Sequence, residues 1–112
     1  MSMTLDEMKL SVCEKLPEVI RFSPIGSPIW RKHDAPVFWP TEGLQVCHEA
    51  EKLIKTQQEW SRYHFQLRYV VRAGANINKQ LSAYDDRDVT TATYEQRLEA
   101  LCRVWWPERF TV

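Results

Sequence analysis

Between Arg21 and Pro40 the chain carries Pro24, Pro28, Pro36 and Pro40, with Gly26 among them. Proline inside a helix removes a hydrogen bond and clashes with the preceding turn, so this stretch excludes a continuous helix. What remains is extended chain and turns. Ile29-Trp30-Arg31 and Val37-Phe38-Trp39 are β-branched and aromatic, and they flank the polar run Lys32-His33-Asp34-Ala35-Pro36. That arrangement predicts a β-hairpin. Val19-Ile20-Arg21-Phe22 reads as a further short strand. The prolines belong at strand ends or on an edge.

Helices are predicted on both sides of this segment. Thr4 and Glu7 have the S/T-x-x-E spacing of a capping box, and Leu5, Met8, Val12 and Leu16 share one face of a helix over 5–16, stopped by Pro17. Thr41 opens a helix over 42–55, with Leu44, Cys47, Glu51 and Ile54 on one side and Val46, Ala50 and Leu53 beside it. Glu51 and Lys55 form an i,i+4 pair there. Residues 56–74 read two ways. Thr56 and Glu59 give a second capping box, and Trp60, Tyr63, Leu67 and Val70 fit a helix over 57–72 stopped by Gly74. Yet Tyr63, Phe65, Leu67, Tyr69 and Val71 alternate as in a strand. Residues 75–91 read as a loop with an acidic tip, Asp85-Asp86-Arg87-Asp88, and with Leu81 and Tyr84 folding back. A last helix starts at the Thr93/Gln96 box, repeats Leu98, Leu101, Cys102 and Trp105 on one face, and stops at Pro107. The expected fold is α+β, a small antiparallel sheet or hairpin packed with three to four helices in one layered domain over 1–112.

Composition narrows the function. The 112 residues suffice for one domain with its own core. Lys plus Arg is 15 and Asp plus Glu is 15, spread evenly along the chain. Zero net charge argues against a protein held to nucleic acid mainly by electrostatics. No apolar run is long enough for a membrane span, so no membrane partner is expected. The N-terminal residues have neither a basic nor an apolar signal region. Cys13, Cys47 and Cys102 are odd in number and widely spaced, which reads as reduced thiols in the cytoplasm.

The familiar chemistries find no purchase. Cys47-His48 are adjacent and would point apart on a helix, and no C-x-x-C or H-x-x-x-H pair accompanies them. Counting an EF-hand loop from Asp86 puts Thr91 where Gly is needed and Arg97 where Glu is needed. Cys47 with His64 or His33 could be drawn as a nucleophile and base, but no glycine-rich elbow surrounds it. No phosphate loop occurs. No catalytic residue, metal or cofactor is therefore assigned. Two interaction surfaces stand out instead. Trp105, Trp106, Arg109 and Phe110 concentrate side chains typical of protein-binding hot spots, with Trp30 and Trp39 as a second patch. Folding of Trp106 and Phe110 back onto the hairpin is the competing reading. Arg62, Tyr63, Phe65, Arg68 and Arg72 interleave rings and cations as single-strand nucleic-acid binders do.

Three short runs carry a resemblance. Ala92-Thr93-Tyr94-Glu95-Gln96-Arg97-Leu98-Glu99-Ala100-Leu101, His48-Glu49-Ala50-Glu51-Lys52 and Trp60-x-x-Tyr63-x-x-x-Leu67 resemble motifs of the phage ABA sandwich family, small bacteriophage and prophage proteins. The chain departs from that family's pattern at Thr41-Glu42-Gly43-Leu44-Gln45 and at Val104-Trp105-Trp106. The resemblance implies a layered α+β fold and a phage or prophage origin. It implies no reaction, cofactor or catalytic residue. The resulting expectation is a non-enzymatic accessory protein in the bacterial cytoplasm that binds a host or phage protein, with inhibition of a host defence or regulatory protein as one version. A nucleic-acid-binding module is the alternative, and self-association stays open.

Overall fold

The computed structural model describes residues 3–74 and 92–110. The first helix, α1 (Leu5–Glu14), opens with the expected reciprocal cap: the Glu7 amide donates to Thr4 Oγ1, and the Thr4 amide donates to Glu7 Oε1, each at 3.2 Å. It ends at Glu14, two residues before the expected limit, with Lys15 as its C-cap. Leu16 lies past the helix yet stays buried, and its carbonyl accepts from the Val19 and Ile20 amides as the chain turns into the sheet.

The sheet is antiparallel, in the order β1 (Ile20–Phe22), β2 (Pro28–Trp30), β3 (Ala35–Pro36). Its principal hairpin joins β1 to β2 in the register Ile20↔Trp30 and Phe22↔Pro28. A tight turn closes it. Ser23 and Ser27 bond through backbone and hydroxyl, and Gly26 takes φ +90°, a conformation open to glycine. The expected second strand, Val37–Trp39, does not form. Only Ala35–Pro36 pairs with β2, and Trp39 begins α2 (Trp39–Thr56). The cause is local chemistry. Glu42 Oε2 accepts from the Phe38 amide at 2.7 Å and from Trp30 Nε1 at 2.9 Å, which fixes a helix start at Phe38. These bonds hold the Glu42 carboxyl below its ordinary pKa, the backbone bond most. Pro40 suits the first helical turn, where its missing amide is no loss.

Residues 60–74 are helical: α3 (Trp60–Gly74) buries Tyr63, Leu67 and Val70, while the alternating strand set would have had to bury the exposed Phe65 and Tyr69. The Thr56/Glu59 box is not made. Thr56 closes α2, and its hydroxyl donates to the Leu53 carbonyl at 2.7 Å. The last helix, α4 (Tyr94–Trp105), has the predicted Thr93/Gln96 box and runs into a 3-10 turn at Pro107–Arg109. The loop reading of 75–91, with Leu81, Tyr84 and the acidic tip, lies outside the described residues.

Helix α4 is the centre of the packing. It lies against α3, α1 and α2, and its Leu98, Ala100, Leu101, Cys102 and Val104 are buried. The sheet joins the same core through Ile20 and Trp30, with Val37 just beyond β3. Among the described residues this is an α+β arrangement of four helices and a three-stranded antiparallel sheet.

Gly43 of α2 lies against the Tyr94 ring of α4, and an added Cβ there would clash with that ring. Alanine gains about 1 kcal/mol over glycine in a helix interior. Overpacking costs about 1–3 kcal/mol. Gly43→Ala is therefore expected to lower stability in urea unfolding, against the sign of helix propensity. Gly26→Ala meets open space but a left-handed backbone, and should cost about 1–2 kcal/mol.

Candidate functional site

The C-terminal rings are neither free nor fully core. Trp105 and Trp106 are both half-buried, set edge to face with centroids 5.9 Å apart. Trp105 Nε1 donates to Gln57 Oε1 at 2.9 Å, which ties the end of α4 to the end of α2. The Lys15 ammonium lies 5.8 Å from the Trp105 ring and 5.4 Å from that of Trp106. Arg109 reaches Glu7 at 3.5 Å with both side chains half exposed, a pair of little energetic weight. Phe110 folds back onto the Arg103 guanidinium at 4.7 Å.

The second patch is corrected. Trp30 is 4% exposed, and its indole N–H is committed to Glu42, so it is a core residue. Trp39 is half-buried, packed near Tyr94 and beneath the Lys9 ammonium at 5.4 Å. The exposed ring at this end is Phe38, at 61%. Placing it in a strand hid it from the sequence reading.

The arginine–aromatic segment is corrected in one residue and extended in another. Tyr63 is fully buried and cannot stack on a base. Phe65 is 67% and Tyr69 53% exposed, on the opposite side of α3. Arg62 pairs with Glu59 at 3.1 Å, and Arg68 and Arg72 are half-buried on the same helix. Tyr69 matters more than the sequence suggested. Arg103 on α4 lies 5.0 Å from its ring and 4.7 Å from Phe110, with Nε bonded to Glu99 Oε2 at 2.9 Å. One guanidinium thus joins the two surfaces that sequence separates into a single strip: Phe65, Tyr69, Arg103 and Phe110.

The structure also holds a buried polar node, joining α2, α3 and α4, that the sequence did not reveal. Glu51 Oε2 accepts from Arg97 Nη1 at 2.7 Å and from the Tyr63 hydroxyl, while Oε1 contacts His48 Nδ1 at 3.1 Å. Arg97 Nε also donates to the Ala92 carbonyl. The expected Glu51–Lys55 pair is absent, and Lys55 lies over the Trp60 ring instead. Each quoted motif contributes to the node: Glu51 with His48, Tyr63, and Arg97. Burial, and secondarily the Glu51 charge, push the Tyr63 phenol well above its ordinary pKa.

The three thiols are buried, and burial pushes Cys13 and Cys102 up to about 12 and Cys47 up as well. Cys47 donates to the Tyr94 carbonyl at 3.4 Å, and His64 packs on the Trp60 ring, so the drawn Cys47–His64 couple does not assemble. Among the described residues, no three of His, Cys, Asp and Glu gather as a metal-binding group. No helix among them is long and apolar enough to cross a membrane. A surface hollow of about 500 Å³ lies between Lys15–Val19 and α2, adjoining one of about 340 Å³ beside Trp30–His33. Comparison with family models, with curated proteins and with solved structures finds no match to this chain.

Two outcomes follow from the thiols. The folded protein should resist alkylation at neutral pH and react at all three cysteines once unfolded, as mass spectrometry would show. Their raised pKa means that the unfolded state loses protons first as pH rises. Stability should therefore be intact below about pH 8.5 and fall between there and pH 12, by up to about 1.4 kcal/mol per pH unit for each thiol. Urea unfolding at stepped alkaline pH measures it.

Proposed function

We propose that this chain is a non-enzymatic binding protein that engages a protein partner through the strip of Phe65, Tyr69, Arg103 and Phe110, together with Trp106. One observation carries the reading: the Arg103 guanidinium is held between two aromatic rings and anchored by Glu99. Such a residue is ordered before any partner arrives, so binding loses less side-chain entropy. Tyr, Trp and Arg are the residues most enriched in hot spots. The buried thiols, with their raised pKa, and the fully paired polar node offer no activated nucleophile, which supports a non-enzymatic role.

The resemblance to phage ABA sandwich proteins supports a phage or prophage accessory role in the bacterial cytoplasm, with a host or phage protein as partner. Inhibition of a host defence or regulatory protein is the concrete version. The nucleic-acid reading draws on Arg62, Arg68 and Arg72 beside Phe65 and Tyr69. It is weakened by the burial of Tyr63 and by zero net charge.

A tagged pull-down from bacterial lysate, with a parallel nuclease-treated sample, tests the proposal. The expected result is a stoichiometric, nuclease-resistant protein. Its binding should weaken by about 2 kcal/mol or more with Tyr69→Ala or Phe110→Ala while helicity is unchanged. Trp30→Ala should instead cost stability, by about 3–5 kcal/mol, because that ring is core. Recovery of nuclease-sensitive material alone would contradict the protein-partner reading.

A further inference from the structure

We infer that the corner between the Trp105 and Trp106 rings is a binding site for a small, free organic ammonium compound, and that Lys15 keeps it shut. The two indoles stand edge to face at 71°, with centroids 5.9 Å apart, and so form two walls of a corner. A cation already sits in it. The Lys15 ammonium lies 5.4 Å from the Trp106 centroid and 5.8 Å from that of Trp105. Both distances are within the range over which a ring face attracts a positive charge. Trp105 is fixed in place, because its Nε1 donates to Gln57 Oε1 at 2.9 Å. One wall is thus ordered before a ligand arrives, which lowers the entropy lost on binding.

Lys15 holds the corner weakly. It is exposed, and among the described residues its ammonium makes no hydrogen bond or ion pair. A primary ammonium is compact and strongly hydrated, so it loses little by turning out into water. A quaternary ammonium has no N–H groups to leave without acceptors, and it is the cation that aromatic cages take. Lys15 also lines the hollow of about 500 Å³ beside α2, where Leu16, Val19 and Leu53 supply apolar wall. That volume suits a small ligand. Lys15 is therefore common to the corner and the hollow, and turning it out joins them. The ammonium of a ligand then stands between the rings while its apolar body lies in the hollow. Charge selects the same class. Without Lys15 the lining keeps Glu18, Glu49 and Lys52 as its charged side chains. Lys52 is paired with Glu49 at 3.0 Å, and Glu18 makes no ion pair among the described residues. The opened site thus keeps an unmatched carboxylate, which favours a cation over an anion.

The test titrates the full chain with octyltrimethylammonium, kept below micelle-forming concentrations, and follows the indole N–H signals of the five Trp by NMR. The Trp105 and Trp106 signals are expected to shift saturably, ahead of those of Trp30, Trp39 and Trp60. Tetramethylammonium, which lacks the apolar body, should bind at least about tenfold more weakly. Lys15→Ala should bind the octyl probe at least about threefold more tightly, because the internal competitor is gone. Trp106→Leu keeps an apolar side chain without a ring face and should lose most of the affinity. Lys15 is exposed, so its variant keeps the fold whatever Trp106→Leu does. The absence of a saturable shift in both the native protein and Lys15→Ala would overturn the inference. Equal binding of octanol would show a hollow indifferent to charge, and tighter binding of octanoate, weakened by Lys15→Ala, would show an anion site; either overturns it. Co-sedimentation with phosphatidylcholine vesicles that is lost in Trp106→Leu would move the site to a lipid surface and overturn the free-ligand reading. The protein-binding strip is tested at Tyr69 and Phe110, so the two readings fail separately.

Discussion

A single buried carboxylate organises this protein. Glu51 sits in the core on α2 and receives hydrogen bonds from Tyr63 on α3 and Arg97 on α4. An unpaired charge in such a place costs several kcal/mol, so the three helices are constrained to keep their donors on it. The node sets rotation as well as distance. A residue advances about 100° around a helix, so with Tyr63 facing Glu51, Leu67 and Val70 fall within roughly 40° of it. Phe65 and Tyr69 then fall at roughly 200° and 240°, on the far side. The exposed rings are the geometric consequence of the buried phenol.

The same logic runs along α4. With Arg97 turned inward, Leu101 and Val104 follow it into the core, and Arg103 emerges on the opposite flank beside Tyr69. The C-terminal turn then lays Phe110 over Arg103. The strip is thus assembled from α3, α4 and the turn after Pro107, oriented by core packing and, at Arg103, by its contacts with Tyr69 and Phe110. Substitutions at the exposed Phe65 and Tyr69 should leave the fold alone, whereas substitutions in the node should disturb both.

What the sequence made legible was local. The capping boxes at Thr4/Glu7 and Thr93/Gln96 close within four residues and were readable as patterns. The Thr56/Glu59 pattern had the same form and failed, because α2 ran on far enough to claim Thr56. The β3 boundary moved because Glu42 recruits both the Phe38 amide and the Trp30 indole, and Trp30 is distant in sequence. The Glu51–Lys55 pair was the best local partner for Glu51, but Arg97 lies 46 positions away and no periodicity announces it. The surface strip was half legible for the same reason. Its rings and arginines were visible by composition, while Arg103 as the joint between Tyr69 and Phe110 required the fold. The runs around Glu51, Tyr63 and Arg97 all reach the node, so what they share in this chain is a structural duty.

The most direct test of this account is a double-mutant cycle between Glu51 and Arg97, using Glu51→Gln, Arg97→Met and the pair, read by urea unfolding. Each single change leaves a buried polar group without its partner and should cost about 3–5 kcal/mol. The double change removes both charges and should recover much of that loss, a coupling of about 1–3 kcal/mol. Additive losses, with no coupling beyond a few tenths of a kcal/mol, would mean that Glu51 and Arg97 act independently and would contradict a node that holds the helices in register.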